Sequence, residues 1–403
     1  MDNFTGFGLP AVLLASLERM QYTTPTPIQA QAIPPALAGK DVLGSAQTGT
    51  GKTAAFGIPL VARLMTMPRG TALVLTPTRE LAVQIMDILQ QLIGPYSDIR
   101  AALVIGGESM PAQIAKLRSR PRIIVGTPGR INDHLERGTL MLNEVAFLVL
   151  DETDRMLDMG FAPQLERIAK YLTQQRQTLM FSATFPANIV QLSAKYLRNP
   201  ERISVGAGNT AIVKIKQDIT YTTQEEKYDL LLKEIGQREG SILIFVKTKH
   251  GADRLADKLN RQRLGAEAIH GDLQQRKRER VIQAFRDQKH RILVATDIAS
   301  RGLDIPHIEH VINYDLPQCP EDYIHRIGRT ARAGAEGSSL CLISPEDNDK
   351  WKAIHRLMHP GETAAPRHPS GDRGKPSGSR NGGNRRHFHS RHRQGSGQAR
   401  PAA

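Results

Sequence analysis

The residues of this chain best suited to chemistry lie in two short stretches. Leu43 to Thr53 reads Leu-Gly-Ser-Ala-Gln-Thr-Gly-Thr-Gly-Lys-Thr. The spacing Ala46-x-x-x-x-Gly51-Lys52-Thr53 matches a phosphate-binding P-loop, with alanine where the first glycine is usual. Gly49 and Gly51 let the backbone turn its amides inward, and a helix N-terminus there adds partial positive charge. Lys52 then reaches β- and γ-phosphates, and the Thr53 hydroxyl can ligate Mg²⁺. An ordinary glycine-rich strand-to-helix turn has the same local pattern, so the second stretch decides. Val145 to Leu150 is apolar throughout, as a parallel strand covered on both faces must be, and it ends in Asp151-Glu152-Thr153-Asp154. Such carboxylates sit at the carboxyl end of their strand, where open α/β sheets place ligands. Asp151 is placed to hold Mg²⁺ through water, and Glu152 to orient or deprotonate an attacking water.

Other polar strand ends add to this pair. Gln29 offers the donor and acceptor that the amino and ring-nitrogen edge of adenine requires. The hydroxyls of Ser182 and Thr184 are expected to bond Asp154 and carry a signal between sites. Three further ends, Thr76-Pro77-Thr78-Arg79, Gly106-Gly107 and Thr127-Pro128-Gly129-Arg130, present amides, hydroxyls and arginine suited to a phosphate backbone. The later half supplies His270-Gly271-Asp272 with Gln275 and Arg278, Thr296-Asp297 leading to Ser300-Arg301-Gly302-Leu303-Asp304, and His325 to Arg332. Arg326, Arg329 and Arg332, at spacing three, are expected on one helix face. Arginines from a second domain are what a γ-phosphate needs to disperse transition-state charge.

Positioning these groups requires two α/β units. At 403 residues the chain is too long for one core. The first unit has strands expected at Asp41 to Leu43, Ala72 to Leu75, Ala101 to Ile105, Ile123 to Val125, Val145 to Leu150 and Thr178 to Phe181. Helices are expected over Pro10 to Met20, Pro27 to Leu37 and Lys52 to Ala62. The Gly-Asn-rich stretch Val205 to Thr210 reads as a linker, and the alternation then resumes. Strands are expected at Ile219 to Thr222, Ile242 to Val246, Ala266 to Ile269, Ile292 to Ala295, His310 to Tyr314 and Leu340 to Ile343. Helices Lys227 to Ile235, Gly251 to Asn260 and Gln275 to Phe285 fall between them. Lys247-Thr248-Lys249-His250 stands where a second P-loop would be needed, so one nucleotide site is expected. The expected division is 1–206, a linker at 207–216, 217–360 and a tail at 361–403.

Composition narrows the partners. Two cysteines, Cys319 and Cys341, support neither a disulfide framework nor a zinc site, and a reducing cytosol is expected. The apolar run Ala11 to Leu17 is too short for a membrane span, and no basic n-region precedes it. Net charge is +14, and residues 361–403 carry nine Lys or Arg against Glu362 and Asp372, a net +7. Polyanions are the expected partner. Phe388 is the tail's only aromatic, so disorder is expected there.

In order and separation these blocks resemble the DEAD-box ATP-dependent RNA helicases of superfamily 2, over about Phe4 to Ile343. Tyr22 to Gln29 is similar to the Q motif, with Phe4 as its upstream aromatic. Motif I is Ala46 to Thr53, including Gln47, Thr48, Gly49 and Thr50; motif Ia is Pro77 to Ala82; motif Ib is Thr127 to Arg130. Motif II is Asp151 to Asp154 and motif III is Ser182 to Thr184. Motif IV is Ile242 to Val246, motif V is Ala295 to Asp304 and motif VI is His325 to Arg332. Four positions depart from the family pattern: Thr153 for alanine, Ala331 for glycine, Ser300 for alanine and Gln21 for glycine. The expectations are intact catalysis, an altered coupling of motif II to motif III, and a helix that tolerates Ala331 well.

The resemblance implies two RecA-like α/β domains with parallel sheets, ATP-Mg²⁺ in the cleft between them, and a basic tail. It implies nucleotide contacts from Phe4, Tyr22, Gln29, motif I and Asp304, with Thr53 and Asp151 at the metal and Arg329 and Arg332 at the γ-phosphate. Asp154, Ser182, Thr184 and His325 would couple the sites. RNA would meet Pro77, Thr78, Arg79, Gly107, Thr127 and Arg130 in the first domain and Gly271, Asp272, Arg278 and Thr296 in the second. Its backbone and 2′-hydroxyls are the implied targets, so sequence preference is expected to be weak. Domain closure bends one strand and expels its partner, and ATP hydrolysis reopens the clamp. An ATP-gated RNA clamp or annealing protein and a DNA helicase of the same superfamily stay open; comparing RNA with DNA as ATPase stimulant separates them. The chain is expected to be a cytoplasmic monomer of bacterial type, with ribosome assembly or RNA turnover as plausible settings.

Overall fold

In the computed structural model the described residues are 3–46, 49–95, 97–183, 185, 187–205, 215–300, 308–331 and 336–359. They build two sheets in which every strand pair is parallel. The first contains β1 (Val42–Ser45), β2 (Thr71–Leu75), β3 (Ala101–Val104), β4 (Ile123–Gly126), β5 (Val145–Leu150), β6 (Gln177–Ser182) and β7 (Glu201–Ser204). Its spatial order is β3-β4-β2-β5-β6-β1-β7. The second contains β8 (Ile215–Tyr221), β9 (Ile242–Phe245), β10 (Ala266–Ile269), β11 (Ile292–Ala295), β12 (His310–Asn313) and β13 (Gly337–Ile343), in the order β10-β11-β9-β12-β13-β8.

Helices of the first unit are α1 (Ala11–Arg19), α2 (Pro27–Leu37), α3 (Lys52–Thr66), α4 (Arg79–Ile93), α5 (Met110–Arg118), α6 (Pro128–Glu136), α7 (Thr153–Asp158), α8 (Ala162–Ala169) and α9 (Ala187–Tyr196). The second unit carries α10 (Lys227–Gly236), α11 (Lys249–Arg261), α12 (Gln275–Arg286), α13 (Asp297–Ser300), α14 (Pro320–Ile327) and α15 (Asn348–Met358). Each sheet is sandwiched because its strands are apolar on both faces. In β5, Phe147 and Val149 join one core cluster and Leu148 and Leu150 the other. In β9, Ile242 and Ile244 face one core and Leu243 and Phe245 the opposite one. These are the expected RecA-like units.

The order of the first sheet matters most for chemistry. β6 lies between β5 and β1, so the carboxyl ends carrying Asp151, Ser182 and the P-loop are neighbours despite their separation in sequence. Edge strand β7 escaped the sequence reading. Only Ile203 of its four residues is buried, too little pattern to reveal a strand. β8 and β13 begin earlier than expected, their polar first halves pairing along the register Gly337↔Ile215 to Ile343↔Tyr221. Part of the expected linker, 206–214, lies outside the described residues, as does the tail from 360 onward.

Motif VI needs correction. Helix α14 ends at Ile327 with Gly328 as its cap, so Arg326 alone of the described arginines is helical. Arg329 follows the cap in a turn, and Ala331 takes a left-handed φ of 55°. The helix-tolerance expectation for Ala331 is therefore wrong: the position favours glycine because a Cβ is strained there. Gln21 has the same property, with φ 58°, and it also replaces the family's glycine. Ala331→Gly should raise the unfolding free energy by up to about 1 kcal/mol, read as a higher urea midpoint at constant slope. An unchanged or lower midpoint would contradict the strain argument.

Candidate functional site

The P-loop turn runs from β1 into α3. Gly51, the helix N-cap, has φ 89°, and Gly49 has φ 85°. Gln29 Nε2 donates to the Gly51 carbonyl at 3.1 Å, and Gln29 Oε1 accepts the Thr26 N–H at 2.9 Å. A Cβ on residue 51 would lie 2.3 Å from Gln29 Nε2, so both the conformation and the contact require glycine. The side chain expected to read adenine thus also braces the P-loop, a link that spacing alone did not show. Lys52 opens α3 and is buried, Thr53 beside it is half-buried, and Thr50 precedes the glycine. Ala46 is buried and its N–H donates to the Ser182 carbonyl at 3.2 Å. Gln47 and Thr48 lie outside the described residues. Phe4 is buried in the first core, stacked on the half-buried Tyr22 with ring centroids 6.3 Å apart.

Opposite the P-loop, Asp151 is 2 % exposed and its Oδ1 accepts the Glu152 N–H at 3.0 Å. Glu152 is buried and held at a left-handed φ of 48° as the N-cap of α7. Strain of this kind concentrates at functional sites, and here it turns two successive carboxylates out of one strand end. Asp154 Oδ2 accepts from the Ala183 N–H at 2.9 Å. Among the described residues Asp154 is thus met by a backbone N–H and not by the Ser182 hydroxyl. Ser182 Oγ is buried without a hydrogen-bond partner among the described residues, and Thr184 lies outside them. The Ala183 carbonyl accepts from Ser45 Oγ at 2.9 Å, so the backbone of this one residue, just past β6, joins β1 and motif II. Thr153 is fully buried; its hydroxyl donates to the Leu150 and Phe181 carbonyls at 3.2 and 3.1 Å. The family's alanine cannot make that tie between β5 and β6.

Burial pushes the Asp151 carboxyl up to about 6, against the lowering influence of Lys52. A carboxylate this desolvated beside a phosphate-binding turn fits a divalent cation, which would restore its charged form. The sign is set by a raised folded value. Asp151 contributes stability below the unfolded carboxyl's range, and that contribution is lost as pH rises through about 6. Asp151→Asn should therefore raise the melting temperature of the nucleotide-free protein at pH 8 and leave it nearly unchanged at pH 4. Equal shifts at both pH values would contradict the assignment.

A cavity of about 410 Å³ is lined by Pro77, Thr78, Arg79, Thr127, Arg130, Gly271 and Arg278, together with Glu80, Gly106 and Phe161. The two units thus meet around one concave, arginine-bearing surface. Thr78 caps α4 through its hydroxyl, accepting from Leu81 N–H at 3.2 Å, and Thr127 stands at the N-cap position of α6 without a side-chain cap bond. Burial, with Arg278 and Arg130 nearby and against the raising influence of Glu80, pulls the Arg79 guanidinium below its ordinary range. Gly107 has φ 82°, and a Cβ there would lie 2.5 Å from Arg79 and 3.1 Å from Gln275.

Two of the expected phosphate contacts are already engaged. Arg130 donates to the Ile105 and Glu108 carbonyls at 3.0 and 2.5 Å, which shapes the glycine doublet. Arg278 donates to Glu80 at 2.7 Å and to the His270 carbonyl at 3.1 Å, with both charged partners 8 % exposed. It ties the units together beside the cavity. Asp272 is exposed and paired with Lys249, while Thr296 is buried, its N–H donating to the Ile269 carbonyl at 3.3 Å.

On α14, His325 is half-buried, and Arg329 just beyond the helix is 4 % exposed. Asp304 and Arg332 lie outside the described residues. Arg326 is structural: it grips both Asp297 oxygens at 2.5 and 2.7 Å, Asn313 Oδ1 at 3.0 Å and the Asp315 carbonyl at 2.6 Å.

Sequence models of two families match: DEAD/DEAH box helicase over residues 26–192 and helicase conserved C-terminal domain over 226–334. The DEAD-box ATP-dependent RNA helicase CshA of Geobacillus kaustophilus is 44 % identical over 358 residues, 88 % of this chain and 76 % of that one. The chain belongs to the DEAD-box helicases. Two solved members agree over both halves. S. cerevisiae Dbp5 bound to RNA and ADP BeF3 has a TM-score of 0.79 at 31 % identity, covering 89 % of this chain and 93 % of that one. Mss116p bound to ssRNA and AMP-PNP has a TM-score of 0.78 at 29 % identity, covering 88 % and 76 %. Within this DEAD-box chain the P-loop after β1 and motif II after β5 flank the end of β6, and the arginine-lined cavity bridges both units.

Proposed function

We infer that the protein is an ATP-dependent RNA helicase: an RNA-stimulated ATPase that separates short duplexes or remodels RNA–protein complexes. The observation that carries this is the convergence of Gly51-Lys52-Thr53 and Asp151-Glu152 on the carboxyl ends of β1 and β5, on either side of β6, in a chain of this family. Lys52 and the P-loop amides would hold the phosphates, with Gln29, Phe4, Tyr22 and Asp304 around the base and sugar. Thr53 and Asp151 would hold Mg²⁺, which when bound neutralises phosphate charge. Glu152 would orient the attacking water, and Arg329 with Arg332 would meet the γ-phosphate. Asp154 would pass the nucleotide state to motif III through the Ala183 amide, with His325 facing it from the second unit.

RNA would lie in the arginine-bearing cavity. Cap amides at Thr78 and Thr127 and the Arg79 guanidinium suit phosphates of any sequence. We take residues 1–206 and 217–360 as the two domains of a monomer working in the cytoplasm; no helix among the described residues is long and apolar enough to cross a membrane. Ribosome assembly and RNA turnover are the settings this chemistry suits. Strand separation tests the reading. A short RNA duplex should be opened repeatedly with ATP and at most once per protein with AMP-PNP. Processive opening of long duplexes would contradict local closure as the working step.

The tail adds a prediction. If about five of its cations engage phosphates, the slope of log affinity against log salt steepens by about 3.5 for single strands, roughly a hundredfold over a fourfold rise in salt. Truncation after Pro360 should therefore raise the RNA concentration for half-maximal ATPase and flatten its salt dependence, with little change in maximal rate. Unchanged RNA affinity at low salt would mark the tail as a passive extension.

A further inference from the structure

We propose that Arg155 and Asp322 form a closure latch, an ion pair made only when the two domains dock, which positions the motif VI segment over the catalytic carboxylates. Arg155 directly follows Asp154 in α7 and is 3 % exposed. Its Nη1 donates to Asp322 Oδ1 on α14, a residue 167 positions away and itself 7 % exposed. Nη2 of the same guanidinium is buried with no hydrogen-bond partner among the described residues. The other nearby carboxylate, Asp158 at 3.5 Å, is 40 % exposed and screened by water. Neutralisation of a buried charge thus rests mainly on one residue from the opposite domain.

Both ends of the pair are tied into their own domains. Below Arg155, α7 is pinned by Asp154 to the Ala183 amide and by the Thr153 hydroxyl to the Leu150 and Phe181 carbonyls. Around Asp322, α14 is fixed to its own sheet by Arg326, and Tyr323 donates to Gln217 at 2.9 Å. Arg329 stands just past the end of this helix. Moving Asp322 relative to motif II therefore moves Arg329 with it. The latch is a positioning device, since neither side chain needs to touch nucleotide.

The energetics give it selectivity. If the domains part, the pair breaks, and any group released to water carries no burial cost. With the domains docked, removing one partner strands the other charge in a dry site, the expensive case for buried ion pairs. Truncation should then penalise the docked state alone, and so act on RNA and ATP saturation more than on the rate at saturation. The effect differs from that of the Arg278–Glu80 pair, which lines the cavity where an anion would compete for Arg278.

The inference rests on the ATPase reading above, and its test has a readout independent of turnover. Arg155→Ala and Asp322→Asn should each raise the RNA concentration for half-maximal ATPase on the order of 10²-fold, with a much smaller fall in the saturated rate. The reversed pair, Arg155→Asp with Asp322→Arg, should recover most of that loss, as an ion pair between these two positions requires. Energy transfer between dyes on Tyr171→Cys and Leu357→Cys, both exposed, in a Cys319→Ser background reports docking directly with single-stranded RNA and AMP-PNP. Docking should weaken in each single variant and return in the reversed pair. Unweakened docking in the single variants, or a reversed pair as poor as either, would overturn the latch. Absent turnover in the unsubstituted protein would instead overturn the ATPase reading, and the energy-transfer result would still decide the latch.

Discussion

Glu152→Gln should bind ATP as tightly as the unsubstituted protein and hydrolyse it about 10²–10⁴-fold more slowly. Glutamine keeps the size of the side chain and the strained backbone at φ 48°, so the group stays in place and only its basicity is removed. Lys52→Ala should behave in the opposite way. It removes the cation at the start of α3 and weakens nucleotide binding itself. Nucleotide titration alongside phosphate release at saturating ATP and RNA separates the two. Wild-type hydrolysis by Glu152→Gln would mean that another group orients the water.

Arg329→Ala should cut RNA-stimulated turnover around 10³-fold or more while the protein stays folded. Arg332→Ala should do the same if both arginines serve the γ-phosphate. Arg329 is 4 % exposed and sits in a turn, which argues against a general basic surface. A surface role would appear as altered RNA affinity with unaffected turnover at saturating RNA. Steady-state kinetics at saturating ATP and RNA distinguishes these outcomes.

The P-loop turn and the acid-bearing strand end were legible in the sequence because each is carried by contiguous residues. A P-loop and a run of acids after an apolar strand each specify their own backbone geometry. The alternation of strands and helices likewise foretold two parallel sheets, since parallel strands need crossovers. What escaped reading depends on groups brought together from far apart. Ser45 with Ala183, Gln29 with Gly51 and Arg155 with Asp322 leave no local pattern. Backbone sign was equally hidden. Ala331 looked harmless on a presumed helix, and only its φ of 55° shows why glycine belongs there. The resemblance implies RNA contacts for Arg130 and Arg278, and in the structure both also hold loops and domains. A guanidinium's five donors make either use compatible with the sequence.

The most direct test of the central claim is ATP turnover measured with single-stranded RNA and with DNA of the same sequence, at matched length and salt. A clamp that reads backbone and 2′-hydroxyls predicts strong stimulation by RNA and little by DNA. Equal stimulation by both would contradict an RNA-directed helicase, and stimulation by neither would contradict the coupling of the arginine-lined cavity to the nucleotide site.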